Sequence, residues 1–308
     1  MDIAQELERR AGHPVDRVLP SPLQSGYRAR IDLSVGPDGR LGYFLPRSHE
    51  HRAIDDEPLA RPEIREWLPK LAGLDLRGIG RVELRSDGEK VIANAKSPPK
   101  RRGKRAVAES LPLPDVALDG KTLRGDCRLR IHAGGIEHHV SPGSFYQINL
   151  EVNRALVDAV TERIQALSPA HLLDLYAGIG NLSLPSVAQG TQATLVERSG
   201  SSTRDARSTL KRLNLQATIR EQDAGKLGAG EVFADCILLD PPRAGAPGLL
   251  EKLIITRPRA ILYVSCNAAT LGRDLGPVRK AGYRITELWG LEMFPGTEHF
   301  EAMAVLER

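Results

Sequence analysis

Cys266 follows the apolar run Ala260-Ile-Leu-Tyr-Val264 by two residues, which places it just past a strand end and not inside the strand. A thiol so placed can face a crevice and act as a nucleophile once it loses its proton. Free cysteines are more often buried apolar residues, and Cys236, inside its own apolar run, is read that way. That run, Cys236-Ile-Leu-Leu239, leads into Asp240-Pro-Pro-Arg243-Ala-Gly245. Two prolines fix a stiff turn with no free N–H of their own, and such a turn projects its acid outward. Near the C-terminus, Met293-Phe-Pro-Gly-Thr-Glu-His299-Phe-Glu301 supplies two candidate bases. His299 and Glu301 share a face if that segment is extended. A thiolate with a base beside it suits covalent addition to an unsaturated carbon followed by proton removal.

A second group of residues is suited to a nucleotide. The run Leu172-Leu-Asp174-Leu-Tyr176 ends in Ala-Gly178-Ile-Gly180-Asn181, where glycines permit a tight turn and close approach to a ligand. Glu197 closes the next apolar run and can accept hydrogen bonds from both ribose hydroxyls of an adenosine. A nicotinamide dinucleotide would use the same two features. It usually wants a third glycine, so that a helix N-terminus meets the pyrophosphate; here that position is Ser183. S-adenosylmethionine has no pyrophosphate, so the loop favours a methyltransferase. Methyltransferases acting on amino groups put Tyr or Phe after the prolines, and Arg243 argues against that chemistry. Carbon 5 of a uracil needs what is present. It is a poor nucleophile until a thiolate adds to carbon 6, and a base must afterwards remove its proton.

The elements that must position these residues alternate in the second half of the chain. Strands are expected at Leu172–Tyr176, Ala193–Val196, Ala217–Ile219, Cys236–Leu239 and Ala260–Val264, with two more near Arg284–Trp289 and Glu301–Leu306. Helical spacing runs through Val152, Leu156, Val157, Val160 and Ile164. Such alternation predicts an α/β fold: a seven-stranded, mostly parallel, Rossmann-like sheet whose ligands lie beyond the carboxyl ends of the strands. The first half reads as a β-rich α+β domain built on hairpins. These are Tyr27–Val35 with Leu41–Leu45, Arg81–Arg85 with Val91–Ala95, and Arg128–His132 with Ile136–Val140. The expected domains are 1–140 and 141–308.

Charge divides along the same line. Residues 1–140 carry 25 Lys and Arg against 21 Asp and Glu, whereas residues 141–308 carry 18 of each. The excess lies largely in Lys96-Ser-Pro-Pro-Lys100-Arg101-Arg102-Gly-Lys104-Arg105, a solvated run suited to phosphate backbones or simply a surface loop. With 41% hydrophobic residues the chain is an ordinary globular protein, long enough at 308 residues for two domains. Aromatic residues, at 4%, are too sparse for broad base-stacking surfaces. The three cysteines, Cys127, Cys236 and Cys266, form no C-x-x-C pair, which argues against disulfides, structural zinc or an iron–sulfur cluster. His49-Glu-His51 and His138-His139 lack metal-site spacing and are expected at the surface or in loops. With no signal peptide and no long apolar run, a cytoplasmic monomer away from membranes is expected.

These residues closely resemble the RNA uracil-5 methyltransferase family, which acts on tRNA and large-subunit rRNA. Phe145-Tyr-Gln-Ile-Asn149, Asp174-Leu-Tyr-Ala-Gly-Ile-Gly-Asn181, Asp240-Pro-Pro-Arg-Ala-Gly245 and Ser265-Cys-Asn-Ala-Ala-Thr-Leu271 occur in family order, and the tail Met293–Glu301 completes the set. The resemblance implies Cys266 as nucleophile and Glu301 as the base that removes the carbon 5 proton. It implies that Gln147, Tyr176, Asn181, Glu197, Asp223 and Asp240 contact S-adenosylmethionine, with Asp240 also near the uracil. Ala268 stands where many members have proline, and Glu292 where Asp is common. Only 26 residues precede Tyr27, which are expected to be too few for the small OB-like domain with which many members begin. RNA affinity is therefore expected from the N-terminal domain and the run at 96–105. Two other readings remain: an RNA cytosine-5 methyltransferase, which would usually carry a second cysteine where Arg243 stands, and an RNA-binding protein with a decayed site.

Overall fold

The computed structural model describes residues 2–97, 103–228, 231 and 233–308. In chain order the elements are α1 (Ile3–Ala11), β1 (Arg17–Leu19), β2 (Arg30–Val35), β3 (Leu41–Phe44), β4 (His51–Ala53), α2 (Pro62–Arg65), α3 (Leu68–Ala72), β5 (Arg81–Ser86), β6 (Val91–Lys96), α4 (Lys104–Ser110), β7 (Asp115–Leu118), β8 (Lys121–Arg124), β9 (Leu129–Ala133) and β10 (Ile136–Val140). There follow α5 (Leu150–Leu167), β11 (Leu172–Leu175), α6 (Leu184–Ala188), β12 (Ala193–Glu197), α7 (Gly200–Arg212), β13 (Thr218–Glu221), β14 (Cys236–Leu239), α8 (Leu249–Leu253), β15 (Ala260–Ser265), α9 (Ala268–Lys280), β16 (Arg284–Leu291) and β17 (Glu301–Glu307). No described helix is long and apolar enough to cross a membrane.

The chain forms two compact units, and they interleave where the sequence led us to expect one cut at 140. One unit comprises Met1–Pro22, His132–His138 and Glu151–Arg308; the other comprises Leu23–Ile131 and His139–Leu150. The first unit holds a sheet of order β1-β16-β17-β15-β14-β11-β12-β13. It has eight strands, not the expected seven, because the three-residue β1 pairs parallel with β16 at the edge. Strands β11 to β15 are parallel, and β17 runs antiparallel between β15 and β16. Strand order reverses between β11 and β14, so a ligand crevice belongs beyond their carboxyl ends. Strands β11, β14 and β15 are buried at every position, as their mostly apolar runs require when helices cover both faces; Asp174 in β11 and Ser265 at the end of β15 are the polar exceptions. Leu173, Leu175, Ile237, Leu239, Ile261 and Tyr263 belong to the core shared with α8, α9 and α1.

The second unit is a seven-stranded sheet of order β4-β3-β2-β5-β6-β7-β8 with its own core, which includes Leu33, Ile64, Leu71, Val82, Leu84 and Val116. Two of the expected hairpins are present as β2–β3 and β5–β6. The third is a separate two-stranded pair, β9–β10. In the basic run, Lys96 ends β6 and Lys104 and Arg105 open α4, where Gly103 gives way to helix-forming residues; residues 98–102 lie outside the described residues. His138 is a correction to the expected surface histidines. It alternates with Ile136 and Val140 on the inward face of β10 and is fully buried. Burial and the nearby Arg212 cation push its pKa down to about 4, so it stays neutral.

Candidate active site

The parallel strands deliver their chemistry at one sheet edge. Tyr176 follows β11, Glu197 ends β12, Asp223 follows β13, Asp240 follows β14 and Cys266 follows β15. Glu301 reaches the same edge from the opposite direction, since it opens the antiparallel β17. The register pairs Ser265 with Ala302, so Cys266, just after β15, and Glu301, just before Ala302 in β17, leave the pair at the same end, and the Glu301 charge acts on the thiol. It also pairs Leu239 with both Leu175 and Tyr263, so Asp240 emerges between the glycine loop and the cysteine turn.

The thiol is half-buried, and burial is the first reason its pKa is pushed up to about 11. The Glu301 and Asp240 carboxylates act in the same direction, and the Arg243 cation opposes them. Glu301 is 3% exposed, and its Oε2 has no hydrogen-bond partner among the described residues. Burial and the neighbouring Asp240 charge raise its pKa well above the usual carboxylate range. Burial raises Asp240 as well. Two acids and a thiol thus crowd one edge, a placement that suits proton transfer and a cationic ligand. His299 lies in the segment before β17 and not in the strand. Its segment turns instead of extending, its backbone N–H donates to Thr297 Oγ1 at 3.1 Å, and its ring meets the Phe294 edge at 6.4 Å.

The glycine loop is fixed by its own hydrogen bonds. Glu197 Oε2 accepts the Gly178 N–H at 2.9 Å and Oε1 accepts the Ser199 N–H at 2.6 Å. Each oxygen keeps a lone pair for a further donor. Tyr176 has φ 59, a left-handed conformation that is costly for a bulky residue and collects at ligand sites. Gly178 has φ 57, and a Cβ there would meet nothing within 4 Å, so the backbone faces open space. Asn181 and the buried Asn153 of α5 exchange amide hydrogen bonds at 2.8 and 3.1 Å. Asp223 caps the turn after β13 by accepting the Gly225 N–H at 2.9 Å.

Gln147 belongs to the other unit and is nearly buried. Its segment is held there by Arg85, whose guanidinium donates to the carbonyls of Ser141, Pro142 and Ser144 and lies 4.8 Å from the Tyr146 ring. Tyr146 in turn donates its hydroxyl to the Ala29 carbonyl at 2.7 Å.

The choice of site residues missed Asp174 and Asn153. Asp174 is buried at the end of β11, where its Oδ2 accepts the Ser183 hydroxyl at 2.5 Å. Burial above all, with help from Asp240 and Glu197, raises its pKa to about 8. An acid inside an otherwise apolar strand was a signal for it. A carboxyl whose pKa is higher folded than unfolded takes up a proton on folding. Its contribution therefore favours the fold at low pH and is lost as pH rises from about 4 to about 8. Asp174→Asn is expected to raise the melting midpoint at pH 8 by about 5 °C and to flatten its decline from pH 5 to 8; melting scans across that range check it.

Comparison with known proteins identifies the family. Residues 227–308, which include Asp240, Cys266 and Glu301, match the tRNA (uracil-5-)-methyltransferase family model. The 23S rRNA (uracil(1939)-C(5))-methyltransferase RlmD of Cronobacter sakazakii is 30% identical over 331 residues, spanning 99% of this chain and 76% of that protein. Its counterpart from Salmonella choleraesuis is 31% identical over 98% of this chain and 75% of that protein. The chain belongs to the RNA uracil-5 methyltransferase family. The crystal structure of Pyrococcus abyssi tRNA (uracil-54, C5)-methyltransferase in complex with S-adenosyl-L-homocysteine superposes with a TM-score of 0.81 at 26% identity, covering 98% of this chain and 81% of that one. As a family member, the protein is an S-adenosylmethionine-dependent enzyme of the RNA (uracil-5-)-methyltransferase class.

Proposed function

We propose that the protein methylates carbon 5 of a uridine in RNA, with Cys266 as covalent nucleophile and Glu301 as general base. The observation that supports this reading is the Ser265–Ala302 register, which ends one residue short of Cys266 and of a buried Glu301 whose charge acts on the thiol and whose Oε2 has no partner among the described residues. Cys266 Sγ, as thiolate, bonds to carbon 6 of the uracil. The electrons of the 5,6 double bond then move onto carbon 5 and the carbon 4 oxygen. Arg243 opposes the two carboxylates that disfavour the thiolate. Glu301 later takes the proton from carbon 5, and the electrons of that C–H bond rebuild the double bond as the carbon 6–sulfur bond breaks.

The residues at this edge fit S-adenosylmethionine. Glu197 is oriented by two backbone N–H groups with lone pairs left for ribose hydroxyls. Tyr176, Asn181 and the open backbone at Gly178 would flank the adenosine, and Asp223 and Asp240 would complete the set on this unit. Bound there, S-adenosylmethionine supplies an electrophilic methyl group on a positively charged sulfur. Glu197→Ala is expected to weaken its binding about 10- to 100-fold, as loss of charged hydrogen bonds does, with calorimetry as the check.

A uridine inside a helix cannot reach this edge, so the base is taken out of a loop or bulge. The basic run at 96–105 and the β-rich unit would hold the phosphates. The test is nucleoside mass spectrometry of tRNA and rRNA from cells with and without the gene. Loss of 5-methyluridine from one fraction supports the reading. Loss of 5-methylcytidine would favour the cytosine enzyme. No change in either nucleoside, with retained RNA binding, would favour a non-catalytic protein.

A further inference from the structure

The turn that carries Asp240 and Arg243 is held from outside by α9, the helix that begins two residues after Cys266. Asp274 of that helix is 5% exposed, and its Oδ2 accepts two hydrogen bonds. One comes from the Ala246 N–H at 2.7 Å, the other from the Tyr263 hydroxyl on β15 at 2.7 Å. Its Oδ1 accepts Arg273 Nε at 2.7 Å, and Arg273 Nη2 donates to the Ala244 carbonyl at 2.7 Å. The backbone between Ala244 and Ala246 is thus gripped on both sides. Gly245, with φ +77, is the residue that admits the grip: a Cβ there would lie 2.4 Å from Asp274 Oδ2 and 2.5 Å from Arg273 Nη2.

One carboxylate therefore holds the backbone after the Asp240-Pro-Pro-Arg243 turn to α9 through Ala246 and Arg273, while the Tyr263 hydroxyl only packs that carboxylate into the core. We propose that Asp274, with Arg273 as its extension, is a positioning residue that sets Arg243 against the Cys266 thiol. This rests on the assignment of Cys266 as nucleophile. Asp240 itself leaves directly from β14, with its N–H on the Leu175 carbonyl at 3.4 Å, so the clamp governs the later part of the turn more than the acid. Among the described residues, the charges acting on the thiol are Glu301 from β17 and Asp240 and Arg243 from the turn. Of these, Arg243 is the cation, and a displaced turn withdraws it.

The test compares Asp274→Asn, Arg273→Ala and Tyr263→Phe with the parent. Its readouts are the single-turnover rate of covalent adduct formation on 5-fluorouracil-containing RNA, its pH profile, S-adenosylmethionine affinity and the melting midpoint. Asp274→Asn turns a donor amide toward Arg273, and Arg273→Ala frees the Ala244 carbonyl at a half-exposed position that leaves the core intact. Both are expected to slow adduct formation about 10- to 100-fold, with cofactor affinity held within about threefold. Both should also move the pH at which the rate is half-maximal upward. Tyr263→Phe removes a bond to the same carboxylate without freeing the turn; it lowers the melting midpoint and keeps the adduct rate near that of the parent. The proposal is overturned if the two clamp variants react at the parental rate and pH, or if rate falls only in step with melting midpoint and cofactor affinity across all three. Absence of any adduct in the parent sinks the nucleophile assignment, and the clamp with it.

Discussion

Replacing Cys266 by alanine is expected to remove methyl transfer to RNA, a fall on the order of 10⁴-fold or more, while S-adenosylmethionine still binds and the fold stays intact. The size follows from the chemistry: without a bond to carbon 6, carbon 5 stays a poor nucleophile, and no other described side chain at this sheet edge is a thiol. Cys127 and Cys236 are buried elsewhere, and burial pushes the Cys236 thiol up to about 12. The fold survives because Cys266 lies beyond its strand and is only half-buried. Tritium-methyl transfer to bulk RNA is the assay, and a variant that retained a tenth of parental activity would remove the covalent step from the proposal.

Glu301→Gln should give the opposite appearance, an enzyme caught part-way. Glutamine keeps the shape and the strand register with Ala302's neighbours but cannot take a proton. Addition and methylation therefore proceed, and release of the methylated base slows by about 10²- to 10⁴-fold, the usual worth of a positioned base. Denaturing gels should show protein covalently joined to methylated RNA, a band that the parent does not accumulate. A Glu301→Gln variant that turned over normally, or that formed no adduct at all, would move the base elsewhere. The acid's raised pKa makes the effect pH-dependent. Glu301 must be ionised to act, so in the parent the release step should quicken as pH rises through the acid's elevated range.

Much of this was legible in the residues because parallel sheets announce themselves. Cys236–Leu239 and Ala260–Val264 are apolar without interruption, and the residue after each run is where a ligand must sit. Asp38-Gly39 and Gly134-Gly135 likewise marked their turns. The same signal was present at Asp119-Gly120, both with positive φ, and would have found the overlooked β7–β8 hairpin. What was not legible depends on tertiary partners. Arg17-Val-Leu19 is too short to show any period, and it becomes a strand only because β16 offers an edge. His299 and Glu301 look equivalent as neighbours in sequence, yet the turn at Thr297 separates a loop imidazole from a buried carboxylate. Asp274 reads as an ordinary helix acid until Ala246 and Tyr263 are seen pointing at it.

The pairing of β1 with β16 sets a limit on how this protein can be cut. Helix α1 packs on α9 so closely that a Cβ on Gly272 would lie 2.3 Å from the Arg10 carbonyl oxygen. A fragment made by starting at residue 141 would lack both α1 and β1. It would present the outer backbone of β16 as an unsatisfied edge, with the apolar flank of α9 bare beside it, and such edges recruit other chains. Anyone wishing to work with the unit that carries Cys266 alone would need to restore both Met1–Pro22 and His132–His138, or supply them as separate peptides.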